Sequence, residues 1–236
     1  MRIDKFISEA GVASRKECAK AAKAGLLLVD GVPVKDTSKH IDPEAVSVSF
    51  MGRVIEYKRF VYVLLNKPEG YVSATEDGKF PVVTELLPEE LQKRGLFPVG
   101  RLDKDTVGVM LLTDDGKLAH TVLSPKRHVS KVYYFECAEP LAAGAEEIFR
   151  DGVTLKDGYE CKSAELSMAA DRLSGEITLT EGKYHQIKRM IASQGNRVTF
   201  LERIRFATLP FGNLPERGGW RYLSAEEEAH LLSLNI

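Results

Sequence analysis

Ile3, Phe6, Ile7 and Ala10 recur at helical spacing and predict a short amphipathic helix closed at Gly11. Ser14 and Glu17 form a capping box, which predicts a second helix from there to Lys23, stopped by Gly25. An apolar run over 26–29, the pair Asp30-Gly31 and a second apolar run over 32–34 read as strand, turn, strand. Val46, Val48 and Phe50 alternate and predict a further strand over 46–50. Residues 57–60 read as a short junction, so the first domain is expected to span 1–58 and a larger one 60–236.

In the larger domain the pattern changes to strands interleaved with helices. Strands are expected over 61–65, 108–113, 131–137, 164–168, 175–180, 197–206 and 220–223. Helices are expected over 84–93, 115–123, 141–150, 184–195 and 224–233. Neighbouring strands often lack a helical crossover, which predicts an α+β fold, not a doubly wound one. Its sheet is expected to be mixed, mainly antiparallel and flanked by helices, behind a small N-terminal α/β domain.

Charge changes this picture only when it is divided. The 236 residues carry a net charge of −1. Residues 1–59 hold 11 Lys or Arg against 8 Asp or Glu, and the remainder holds 22 against 26. A basic front on an acidic body suits a protein that meets a polyanion with selected surfaces. Residues 183–205 form a second basic concentration, with Lys183, Lys188, Arg189, Arg197, Arg203 and Arg205 against Glu202 alone. Cys18, Cys137 and Cys161 are too widely spaced for a disulfide framework or a zinc motif, and the five histidines show no ligand spacing. No metal and no cofactor are expected. Without a leader or a long apolar run, the reading is a cytoplasmic protein with no membrane partner, and nothing asks for more than a monomer.

The densest chemical signal is VGRLDKDTVGVMLLTDDG, residues 99–116. Two glycines bracket a polar turn holding Arg101, Asp103, Lys104, Asp105 and Thr106, and an apolar strand leaves from it. A carboxylate on such a turn, flanked by cations, is a common way to present a nucleophilic or basic aspartate. Taken alone, a polar turn entering a strand is everyday structure.

Its company alters that judgement. KPEG at 67–70, GRLDKDTVG at 100–108, KVYY at 131–134 and EGKYHQIKRM at 181–190 occur in this order. Together they resemble the pseudouridine synthase family, over nearly the whole chain. The resemblance is strongest to the branch that modifies ribosomal RNA, and within it to the small-subunit (16S) enzyme. RIDKFI, GVASRKEC and AGLLLVDGVPV near the front resemble the small RNA-binding domain named after ribosomal protein S-four.

The resemblance implies roles for matching residues. Asp103 is the catalytic aspartate, Tyr133 the tyrosine that lies against the uracil, and Lys188 the cation paired with the aspartate. Arg101 helps to fill the space of the extruded nucleotide. Tyr134 is adjacent to Tyr133, but strand alternation lets only one face the cleft. Many relatives carry arginine where this chain has Lys188, so a bidentate grip becomes a point charge. In the front domain Arg15, Lys16, Lys20 and Lys23 are expected to meet RNA phosphates, as are Lys183 and Arg189 in the larger one. A solvated helix face or a structural ion pair is the plainer fate for any of them. Lys67 and Pro68 read as scaffold for the cleft wall.

The implied reaction isomerises uridine within RNA, and no atom enters or leaves the nucleotide. The carboxylate either attacks the sugar or removes a sugar proton, and both routes stay open. The expected partner is ribosomal RNA or a partly assembled small ribosomal subunit. A non-catalytic RNA-binding assembly factor is the alternative, set against an intact GRLDKDT. A glycosidase using Asp103 and Asp105 needs two carboxyls ~5–10 Å apart, but the basic patches point to a polyanion instead.

Overall fold

The capping box forms as its sequence predicts: the Glu17 N–H donates to Ser14 Oγ (3.3 Å) and the Ser14 N–H to Glu17 Oε2 (2.8 Å). In the computed structural model, which describes residues 1–55 and 58–234, this box opens α2 (Arg15–Lys23), preceded by α1 (Ile3–Glu9). The expected 57–60 junction therefore begins at a position outside the described residues. Four short strands follow: β1 (Leu27–Val29), β2 (Val32–Pro33), β3 (Val48–Phe50) and β4 (Arg53–Ile55). They make one antiparallel sheet in the order β2-β1-β3-β4. Its core is Ile3, Phe6 and Ile7 of α1, Cys18, Ala21 and Ala22 of α2, and Leu27, Val48 and Phe50 of the sheet. The opposite face of α2 leaves Arg15, Lys16, Lys20 and Lys23 exposed.

The chain divides into two compact units, and the smaller takes in Leu87–Leu96 besides Met1–Val61. Its extra piece contains α3 (Glu89–Arg94). The helix expected over 84–93 does not form as one element. Proline at 88 lacks an N–H and biases its predecessor away from helix, so Val83–Leu86 closes as a 3-10 turn and α3 starts beyond the proline. A reading that put 84–93 wholly in the larger domain therefore misplaced α3.

The larger unit holds Tyr62–Leu86 and the chain from Phe97 onward. Its strands and helices are β5 (Tyr62–Lys67), β6 (Phe97–Pro98), β7 (Val107–Thr113), α4 (Gly116–Leu123), β8 (Lys131–Cys137) and α5 (Ala145–Asp151). Next come β9 (Glu165–Met168), β10 (Ser174–Leu179), α6 (Gln186–Ser193), β11 (Val198–Phe206), β12 (Leu209–Pro210), β13 (Trp220–Tyr222) and α7 (Ala225–Ser233). The nine-stranded sheet runs β13-β5-β7-β11-β8-β10-β9, with β6 on β7 and β12 on β11. Every pair is antiparallel except β7 with β11. The sheet is thus mixed and mainly antiparallel, in an α+β fold. All residues of β5 and β7 are buried, which explains the apolar runs over 62–65 and 107–112 within them. No helix among the described residues is long and apolar enough to cross a membrane.

The parallel seam depends on one glycine. Gly108 has φ +102°, and a Cβ there would lie 2.3 Å from the Arg203 carbonyl oxygen. Gly108→Ala therefore combines a disfavoured backbone with a backbone clash in the sheet centre. We expect it to lower the unfolding free energy by about 3 kcal/mol or more, measured by urea denaturation. A loss below ~0.5 kcal/mol would mean the seam yields freely.

Candidate active site

The turn that carries Asp103 is fastened from several sides before its carboxylate does anything. The Thr106 N–H donates to the Asp103 carbonyl (3.0 Å), closing the turn. Ser73 Oγ donates to the Leu102 carbonyl (2.7 Å) and accepts from the Leu102 N–H (2.9 Å). The Gly70 N–H donates to the Lys104 carbonyl (2.9 Å). Beneath the turn, the fully buried Lys67 ammonium donates to the carbonyls of Thr106 (2.7 Å), Asp103 (3.0 Å), Pro68 (3.1 Å) and Lys104 (3.3 Å). Burial pushes Lys67 down to about 8, against the pull of Asp105 and Asp103.

The scaffold reading of Lys67 thus gains a concrete form: one ammonium ties together the carbonyls of the KPEG and GRLDKDT segments. Lys67→Met would remove the side-chain donor from the Thr106 and Pro68 carbonyls and leave those of Asp103 and Lys104 with one backbone donor each. Stability is expected to fall by about 2–4 kcal/mol, and turnover with it as the Asp103 turn loosens. Urea unfolding and single-turnover rates check both, and an unchanged turn would leave both at wild-type values.

Helix α6 supplies the cation. Its first turn follows His185, which sits in the left-handed region at φ 49° and ends the helix two residues short of the expected start at 184. That conformation costs ~1–3 kcal/mol for a residue other than glycine, and the next residue, Gln186, is anchored on the buried Glu181. The Glu181 carboxylate accepts from Gln186 Nε2 (2.6 Å), the Tyr159 hydroxyl (2.8 Å) and the Lys162 N–H (3.0 Å). Gln186 Oε1 in turn accepts from the Lys183 N–H (2.9 Å).

So positioned, Lys188 Nζ lies 3.1 Å from Asp103 Oδ2 and 2.6 Å from Asp105 Oδ1. The expected Asp103–Lys188 pairing is present, but Asp105 shares the ammonium and sits closer to it. Burial works against the Lys188 charge, yet the hydrogen bonds to Asp105 and Asp103 outweigh it and hold its pKa above the ordinary value. Asp105 is also pushed up by burial, and Lys188 more than reverses that. His185 Nε2 approaches Asp103 Oδ1 at 3.5 Å, so the imidazole edge borders the same carboxylate.

Tyr133 of β8 and Arg203 of β11 lie opposite each other in the sheet and form the floor. Tyr133 is buried and lines the cleft, whereas Tyr134 points to the other face and donates to Glu136. Arg203, one of the six cations in 183–205, is 1% exposed at that floor, its Nε donating to the Val109 carbonyl (2.7 Å). Burial lowers its pKa, and Tyr133 opposes that shift. Nearby Lys131 is pushed down to about 8 by burial and then by the Arg203 charge. Side-chain spacing cannot distinguish a buried arginine in β11 from its exposed neighbours.

These groups border one cleft of about 520 Å³, lined also by Arg101, Lys183, Tyr184 and His185. Arg101 and Lys183 are exposed at its edge. Arg189, expected to meet RNA, is engaged elsewhere: it pairs with Asp157 (2.5 Å) and donates to the Tyr184 carbonyl (3.3 Å). Ser73 and His185 were not singled out as site residues from sequence, although His185 lies inside a motif quoted above, and Asp105 was weighed only as the second carboxyl of a glycosidase. Among the described residues no cluster of His, Cys, Asp and Glu could hold a metal ion. The arrangement presents two carboxylates sharing a fixed cation, beside a floor that holds Tyr133, in a cleft wide enough for a nucleotide.

Comparison with known proteins adds the family. Residues 61–193 match the RNA pseudouridylate synthase family, and residues 1–47 match the S4 domain. An uncharacterized RNA pseudouridine synthase of Bacillus subtilis is 40% identical over 236 residues, covering 99% of this chain and 98% of its own length. The ribosomal small subunit pseudouridine synthase A of Vibrio vulnificus is 38% identical, covering 96% and 97%. A crystal structure of a pseudouridylate synthase superposes with a TM-score of 0.69 at 33% identity, covering 98% of this chain and 99% of that one. The chain belongs to the RNA pseudouridine synthases and carries an S4 domain at its front.

Proposed function

We propose that this enzyme converts one uridine of small-subunit (16S) ribosomal RNA to pseudouridine, with Asp103 as its catalytic carboxylate. The observation that carries the reading is the Asp103 carboxylate held at 3.1 Å from Lys188 at the edge of a cleft floored by Tyr133. The likeness to a small-subunit enzyme over almost its full length supports the choice of RNA.

In this mechanism the target uridine leaves its stack and enters the cleft, where its base lies against Tyr133. The Asp103 carboxylate acts on the sugar and the bond from the anomeric carbon to the ring nitrogen breaks. The base turns and rejoins through a ring carbon. The proton lost from that carbon balances the one gained at nitrogen, so the atoms close within the nucleotide. Lys188 keeps a positive charge beside the reacting carboxylate, and Arg101 stands where it can fill the gap left in the RNA. Residues 1–58 supply affinity through Arg15, Lys16, Lys20 and Lys23, and residues 60–236 supply the chemistry. Lys183 adds a phosphate contact at the cleft rim; the plainer fate weighed for Arg189, a structural ion pair, suits its partners better. The substrate is free ribosomal RNA or a small subunit in assembly, met in the cytoplasm.

Mapping pseudouridines in ribosomal RNA from cells with and without the gene tests this. One small-subunit position is expected to revert to uridine in the deletion strain and to return with the wild-type gene. An unchanged small-subunit map would refute the assignment of substrate.

A further inference from the structure

The rim of the cleft carries an aromatic pair that the chemistry above does not use. Tyr184 is 71% exposed, the most exposed large apolar side chain among the described residues. Its ring stacks on that of His185 with centroids 3.8 Å apart and planes 18° from parallel. The pair is rigidly mounted. The Tyr184 carbonyl accepts from Arg189, the preceding Lys183 N–H donates to Gln186, and Gln186 is bound to the buried Glu181.

Its position is informative. The edge of His185 reaches Asp103, so the pair flanks the carboxylate instead of covering it. The surroundings are cationic: Lys183 lies over the Tyr159 ring at 4.6 Å, and Lys162 and Arg101 are exposed on the same cleft. An open aromatic plate beside cations is how single-stranded nucleic acid is gripped, one base on the ring and its phosphates on the charges. A solvent-facing tyrosine with no such neighbours would need no explanation. One stacked on a histidine at the carboxylate, and braced by a buried network, has a direction.

We propose that the outer face of Tyr184 is a stacking site for an unpaired purine immediately next to the target uridine. This rests on the enzyme's acting on RNA at Asp103, and it goes further by naming a second base that is recognised. A purine offers the larger ring to stack and is preferred to a pyrimidine. His185 backs the plate and keeps it parallel to the incoming base, so the neighbour is clamped while the uridine is turned out.

The test uses a single-stranded RNA of about 10 nucleotides, within the site sizes of single-strand binders, with a central uridine and fluorescent 2-aminopurine directly 5′ or 3′ of it. Wild type and Tyr184→Phe are expected to quench the fluorescence of one of the two. Tyr184→Ala is expected to lose the quenching and to bind about 5- to 100-fold more weakly. On small-subunit RNA the loss should appear in KM more than in kcat, with Tyr184→Phe near wild type. Equal quenching and affinity for Tyr184→Ala and wild type would overturn the proposal. Quenching with no pseudouridine formed in small-subunit RNA would retire that substrate and keep the stacking site. Pseudouridine formation with an unchanged KM in Tyr184→Ala would do the reverse.

Discussion

Asp103→Asn is expected to abolish turnover, by more than about 10³-fold, while leaving fold and RNA affinity near wild type. The amide keeps the side chain's size and can still accept from Lys188, but it neither attacks a sugar nor takes its proton. The substitution is structurally mild because the turn is held by its backbone, through Lys67, Ser73 and Gly70, and not by the carboxylate. Single-turnover pseudouridine formation and gel-shift affinity measured on the same preparation separate the two effects. Substantial turnover by Asp103→Asn would move the chemistry to Asp105, which shares the same ammonium.

Lys188→Met is expected to lower kcat by about 10²- to 10³-fold, the scale of removing one fixed charge from a reacting centre. Stability should change by less than about 1 kcal/mol, because the paired carboxylates are 28% and 62% exposed and water can take over their solvation. Lys188→Arg should keep most of the activity, since the charge survives and Asp103 and Asp105 lie close enough for a forked donor. The measurement is kcat and KM for all three forms at one pH. A methionine variant with wild-type kcat would hand the role to His185, the other group that approaches Asp103 from α6's end.

Much of this was legible locally. The capping box at Ser14, the alternation in β3 and the apolar runs of β5 and β7 are encoded within a few residues of where they act. The motifs likewise pointed to Asp103, Tyr133 and Lys188 as candidates, and the structure brings these three to one cleft. What escaped is nonlocal or depends on a single backbone angle. No period in β11 says that Arg203 turns inward beneath Tyr133. Lys188 divides its hydrogen bonds between two carboxylates because the turn presents both, and spacing cannot rank them. Pro88 was visible, yet its effect was not only to break the expected helix. It left α3 to pack with residues far earlier in the chain. His185 shortens α6 through a positive φ uncommon outside glycine, and its neighbour Gln186 is tied to the buried Glu181.

The parallel pairing of β7 with β11 also sets a schedule. Asp103 and Lys188 are 85 positions apart, and the seam between them needs Arg203 opposite Gly108. The front unit is complete in sequence once Leu96 has been made. At ~5–20 residues per second, a ribosome needs roughly 5–20 s more to reach the seam. During that interval the nascent chain has its S4 domain and its exposed α2 cations but no cleft. If residues 1–58 supply RNA affinity as proposed, each molecule passes through a stage in which it can hold RNA before it can alter it.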